Sequence, residues 1–153
     1  MKDAFTIVRN IESDAYAAFL RISTEFCDKF LLVIQDGAGT NANLEIALNR
    51  LSRFLISTQQ TTSWPGTNLL AGTAQLNEYK LNTESVRELL SLSDNLYAWR
   101  QPNLPEDLAL LRSDGTIFLG SISHENDAFL ELTRREYDLL MAKVPGARIE
   151  LSR

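Results

Sequence analysis

The spacing of apolar residues changes period several times along the chain, and each change marks an element. Ala4 to Arg9 (AFTIVR) is rich in strand-favouring residues and predicts a first strand. Tyr16, Phe19, Leu20, Ser23, Phe26 and Cys27 then recur at helical spacing. They predict a helix from about Asp14 to Cys27, with Ser13 as its N-cap. Phe30 to Gln35 (FLLVIQ) is a continuous apolar run, as expected of a strand covered on both faces. Asp36 to Asn41 breaks it. Leu44, Leu48, Leu51 and Leu55 form the stripe of a second helix capped by Asn43, which should fade over Ile56 to Gln60 as polar residues lower its propensity. Thr61 to Thr67 is a loop built on Pro65-Gly66, and Gln75 to Leu81 alternates strictly, as a half-exposed strand does. Asn82-Thr83 caps a helix over Glu84 to Leu92, and Asn95 to Asn103 is an aromatic loop or short strand.

The C-terminal third has the clearest pattern. Leu108 to Arg112, Thr116 to Ser121 and Ala128 to Leu132 are three strand-like runs, the first two joined by Ser113-Asp114-Gly115. Asp-Gly is a hairpin signal because the turn needs φ > 0, which glycine adopts at no steric cost. Thr133-Arg134-Arg135-Glu136 is a capping box that opens a last helix lined by Tyr137, Leu140, Met141 and Val144. Pro145-Gly146 stops it, and Ala147 to Leu151 can add an edge strand. Tight hairpins demand antiparallel pairing. The expected fold class is therefore α+β: a mostly antiparallel sheet with helices packed on it, in which a three-strand meander precedes the final helix.

Length and charge narrow the function classes. At 153 residues the chain has the size of one domain, with no repeat or linker. No apolar run reaches the roughly 18 residues of a membrane span. Met1 to Thr6 holds no signal-peptide core, so the cytoplasm is the expected compartment. Cys27 stands alone, which excludes an internal disulfide and predicts a small buried hydrophobe rather than a reactive thiol. A net charge of −5 argues against nucleic-acid binding. Its distribution says more: residues 103–132 hold six acidic residues (Glu106, Asp107, Asp114, Glu125, Asp127, Glu131) and one basic, Arg112. That concentration either steers a cationic partner or is a solvated face.

Candidate chemistry is sparse. Gly37-x-Gly39-x-x-Ala42 follows a strand and opens a helix, as a dinucleotide fingerprint would. No acidic residue follows about twenty positions on to hold a ribose, since Ser57 to Thr62 reads STQQTT. An ordinary loop is expected there, and no cofactor. His124 is the only histidine, so any histidine-based acid–base site must use it. His124-Glu125 begins like a zinc-protease motif, but position 128 is Ala128, so that route to a metal fails. A histidine that fixes a turn between strands is expected, with pairing to Glu125 or Asp127 as a general base the alternative. Trp64, Tyr97 and Trp99 lie in loops, where burial as anchors is the common fate and interface contact the other.

The motifs Trp64-Pro65-Gly66-Thr67, Leu96 to Trp99 (LYAW), Pro105 to Leu108 (PEDL), Asp114-Gly115, Ser121 to Glu125 (SISHE) and Leu130 to Thr133 with Glu136 share a further property. Together, over roughly the C-terminal three-fifths of the chain, they resemble a family of small bacterial proteins. That family is associated with the immunity partners of secreted polymorphic or contact-dependent toxins. The resemblance brings no catalytic residues. It implies a non-enzymatic module that binds and neutralises a cognate toxin, expected to be a basic nuclease whose cationic site an acidic protein would mask. Glu106, Asp107, Asp114, Glu125 and Asp127 would face that partner, with Tyr97 or Trp99 as apolar anchor. The alternative is a small hydrolase or nucleotide-handling enzyme built on His124 and nearby carboxylates. Oligomeric state is left open.

Overall fold

The computed structural model describes residues 1–152. Ten strands and four helices follow one another as β1 (Asp3–Ile7), α1 (Ser13–Ser23), β2 (Lys29–Gln35), α2 (Ala42–Leu51), β3 (Leu55–Thr61), β4 (Ser63–Trp64), β5 (Thr67–Asn68), β6 (Ala74–Lys80), α3 (Thr83–Leu92), β7 (Glu106–Leu111), β8 (Ile117–Ile122), β9 (Asp127–Leu132), α4 (Arg134–Lys143) and β10 (Ile149–Leu151). Eight of the strands form one sheet in the order β10-β1-β9-β8-β7-β2-β6-β3, and every pairing is antiparallel. The fold is α+β, as the hairpin signals require. No helix among the described residues is long and apolar enough to cross a membrane.

The meander β7-β8-β9 forms the middle of the sheet, and β1 with β10 extends it beyond β9. On the other side β2 lies between β7 and β6, which explains its continuous apolar run. Phe30 and Leu32 join the main core with Tyr16, Phe19 and Leu20 of α1, Ala47 and Leu51 of α2, Val86 and Leu89 of α3, and Leu140 of α4. Val33 points to the opposite face, because side chains alternate along a strand. There it packs with Trp64 and Ala74 beneath the short β4-β5 hairpin. The sheet is thus helix-covered on one face and hairpin-covered over part of the other.

Local signals account for most helix ends. Asn82 and Thr133 cap α3 and α4 through reciprocal capping boxes, with Ser85 and Glu136 as the returning partners. The cap of α2 is Asn41, whose side chain accepts from the Asn43 and Leu44 amides, rather than Asn43 itself. For α1 the N-cap is Glu12, without a side-chain cap, and Ser13 is the first helical residue. The largest departure concerns Leu55 to Thr61, where the sequence places Leu55 in the stripe of the second helix and Ile56 to Gln60 at its fading end. The segment forms edge strand β3, paired to β6 along its length. Leu55 is exposed, so the apolar stripe of α2 ends at Leu51.

Candidate functional site

Antiparallel topology brings several separated segments to one end of the sheet. Here β2 finishes at Gln35, β7 starts at Glu106, and β8 turns into β9 through Ser123 to Asn126. Two backbone irregularities shape this corner. Leu31 and Val33 of β2 lie opposite Ala109 and Glu106 of β7, so the meander strand carries one extra residue, a bulge. Asp107 within that bulge has φ 59°, and Asn126 closing the β8-β9 turn has φ 52°. Both are residue types that tolerate the left-handed region better than most. The bulge re-aims Asp107, and the turn brings His124 over it.

The resulting cluster consists of Glu106, Asp107 and His124, with one potential ligand atom from each lying within 4.8 Å of the others. Both carboxylates are buried, at 6% and 1% exposure, whereas the His124 side chain is 46% exposed. Glu106 Oε2 accepts from Gln35 Nε2 at 2.5 Å, and its Oε1 accepts from the Gln101 amide at 3.2 Å. Asp107 Oδ2 accepts from Trp64 Nε1 at 2.9 Å, and its Oδ1 accepts from the Ser123 amide at 3.0 Å. Burial raises the Asp107 carboxyl above its ordinary range, and the adjacent Glu106 charge adds to that, against the lowering by the two hydrogen bonds. Two buried hydroxyls border the corner without a hydrogen-bond partner among the described residues, Ser123 Oγ and Tyr97 Oη. The short 3-10 turns that carry them, Leu96–Ala98 and Ser123–Glu125, are in contact.

This placement revises the set of partner-contact residues expected from the sequence. Glu106 and Asp107 lie inside the fold and bond to it. Trp99 is fully buried, its indole donating to the Tyr16 hydroxyl of α1 at 2.8 Å, and Tyr97 is 7% exposed. None of these four offers a free surface to a partner. Asp114, Glu125 and Asp127 are exposed. They do not form one cluster, because Asp114 sits in the β7-β8 turn and the other two at the opposite end of β8. Six residues at about 3.3 Å each separate these ends by roughly 20 Å. Asp114 is also engaged locally, its Oδ1 accepting from the Thr116 amide and hydroxyl.

Arg112 contributed the one positive charge of the meander in the sequence. It is turned inward, donating from Nε and Nη2 to both carboxylate oxygens of Glu136 on α4. The loop with Gly37 and Gly39 leads from β2 into α2, but β2 is flanked by antiparallel neighbours on both sides, so the parallel unit of a dinucleotide site is missing. Its Gly39 carbonyl instead accepts from Gln101 Nε2 at 2.8 Å, and Gln101 also bridges to the Gln35 backbone. Cys27 is buried, and desolvation there pushes its thiol up to about 12. Sequence reasoning treated Glu106-Asp107 and His124 separately. No local signal in the sequence announces that the two meet, since the contact is set by the pairing of β2, β7, β8 and β9. No protein-family model, curated protein or solved structure matches the chain.

Proposed function

We propose that the chain is a non-enzymatic protein-binding module that presents an anionic surface to a cationic protein, with an immunity protein facing a basic toxin as the leading case. The inward turn of Arg112 carries this reading. Of the charged residues in 103–132, the exposed ones are Asp114, Glu125 and Asp127, while the one basic side chain is spent on Glu136. An acidic surface of this kind raises association rates through long-range attraction. The Glu125–Asp127 corner suits the contact better than the Asp114 turn, because Asp114 lies beside Lys2 and is bonded to Thr116. Half-buried Phe129, two residues from Asp127 and packed beside Gly66, lies next to that corner and supplies apolar area.

Affinity capture from the source cell at low salt, with identification of what is retained, begins the test. Stopped-flow association with the captured protein follows, for the native chain and for E125K/D127K. A basic partner whose association slows roughly tenfold with charge reversal, and falls steeply with salt, is the expected result. An association rate indifferent to both would overturn the proposal.

The convergence of His124 on Glu106 and Asp107 favours a second reading, a small hydrolase or nucleotide-handling enzyme. His124 would then act as the accessible base and the carboxylates would orient it. The H124A variant separates the two, since it leaves the acidic corner intact and removes the only imidazole.

A further inference from the structure

The geometry points to a divalent metal site formed by Glu106, Asp107 and His124, with Zn²⁺ or Mn²⁺ as the fitting ion. It goes beyond the binding module proposed above and does not depend on it. Glu106 and Asp107 are consecutive, buried, and paired with no Lys or Arg among the described residues. Two neighbouring carboxylates out of water need a counter-charge, and a proton or a cation can supply it. Each carboxylate oxygen accepts one hydrogen bond from the protein and keeps a further lone pair. Those bonds hold the oxygens in place, as outer partners of metal ligands do.

His124 completes the set from the solvent side. Its Nε2 has Glu125 Oε1 at 3.9 Å as a loose neighbour, so the ring is free to move. Metal–ligand distances of about 2.0–2.2 Å in a tetrahedral site place ligand atoms about 3.3–3.6 Å apart. The three ligand atoms lie within 4.8 Å of one another, so binding draws the cluster together by up to roughly 1.5 Å, and the exposed imidazole is the group freest to move. The unpartnered Ser123 hydroxyl is a second, separate sign that the corner lacks a polar neighbour. It is fully buried, and its own amide is bonded to Asp107. One nitrogen with two carboxylates selects a first-row ion over Mg²⁺ or Ca²⁺, which prefer all-oxygen sets. Three protein ligands leave positions open toward solvent on the His124 side.

The test uses the full chain without an added histidine tag, stripped of metal by chelation. Zn²⁺, Mn²⁺ and Mg²⁺ are titrated separately by calorimetry, and the imidazole NMR signals are followed with Zn²⁺. Since the chain has one histidine, those signals belong to His124 alone. One equivalent of Zn²⁺ should bind, shift the His124 resonances, and raise the melting temperature. H124A and E106Q should each weaken it about a hundredfold, because even outer partners of ligands are worth ten- to a hundredfold. H124A truncates an exposed side chain and retains the fold, so the result does not rest on E106Q being stable. No heat with Zn²⁺ or Mn²⁺ would mean that a shared proton balances the carboxylates, which overturns the site. Binding that leaves His124 unmoved, survives both substitutions, or is matched by Mg²⁺ is an adventitious ion only and overturns it equally.

Discussion

The indole of Trp64 donates to Asp107 Oδ2 at 2.9 Å, tying the β4-β5 hairpin to the first residues of β7 across 43 positions of sequence. The bond is buried at both ends, with Trp64 6% and Asp107 1% exposed. The hairpin covers one face of the sheet with little apolar area of its own, so this polar link fixes where it sits.

Trp64→Phe keeps an aromatic ring against Val33 and Ala74 and removes the donor. A buried carboxylate oxygen then loses its partner, which costs about 1–3 kcal/mol. Urea unfolding monitored by circular dichroism reads that loss. A change below about 0.5 kcal/mol would mean that water replaces the indole and that the hairpin is held by packing alone.

Glu136 and Asp107 should leave opposite signatures in the pH dependence of stability. Burial would raise Glu136, but the bonds from Arg112 and the Thr133 amide outweigh it and hold the carboxyl below its ordinary value. Its stabilisation is present above the unfolded value and is lost as pH falls through the lower folded value. Asp107 is raised above 3.8, so its ionisation opposes folding, and that cost appears as pH rises through the folded value. Glu136→Gln leaves Arg112 without its charge partner in a pair only about a tenth exposed, and should cost roughly 3 kcal/mol at neutral pH. It should also flatten the acid limb of the stability profile. An unchanged acid limb would show that other carboxylates dominate it.

Gly120 on β8 lies directly beneath Phe129 of β9, its cross-strand neighbour. A Cβ at position 120 would run into the Phe129 ring. Gly120→Ala should therefore destabilise by about 1–3 kcal/mol through overpacking. In a double-mutant cycle, Phe129→Ala should remove most of that penalty, because the ring is what the methyl meets. Additive costs would place the strain in the backbone of β8 instead.

Elements with a strong local signal were legible in the sequence. The Asp114-Gly115 turn, the capping boxes at Asn82 and Thr133, and the apolar run of β2 each encode their state within a few residues. Strand β3 was not legible. Leu55 to Thr61 turns polar after Leu55 and Ile56, is exposed along nearly its whole length and has no buried face, so no period marks it. It is a strand because β6 offers it an edge. The burial of Glu106 and Asp107 was not legible for a related reason, since acidity in a sequence does not say which carboxylates are turned inward. Glu106, Asp107, Tyr97 and Trp99 are buried, whereas Asp114, Glu125 and Asp127 are exposed.

The sequence by itself determined most of the element types, the antiparallel pairing of the hairpins and the excess of acid between residues 103 and 132. Turns, caps and side-chain periodicity act over distances of a few residues, within reach of local chemistry. Tertiary structure alone decided that His124 lies over Glu106 and Asp107 and that Arg112 meets Glu136. It also split the acidic turns between opposite ends of β8. Those outcomes depend on strand register and on the bulge at Asp107, where one extra residue changes the direction of a side chain.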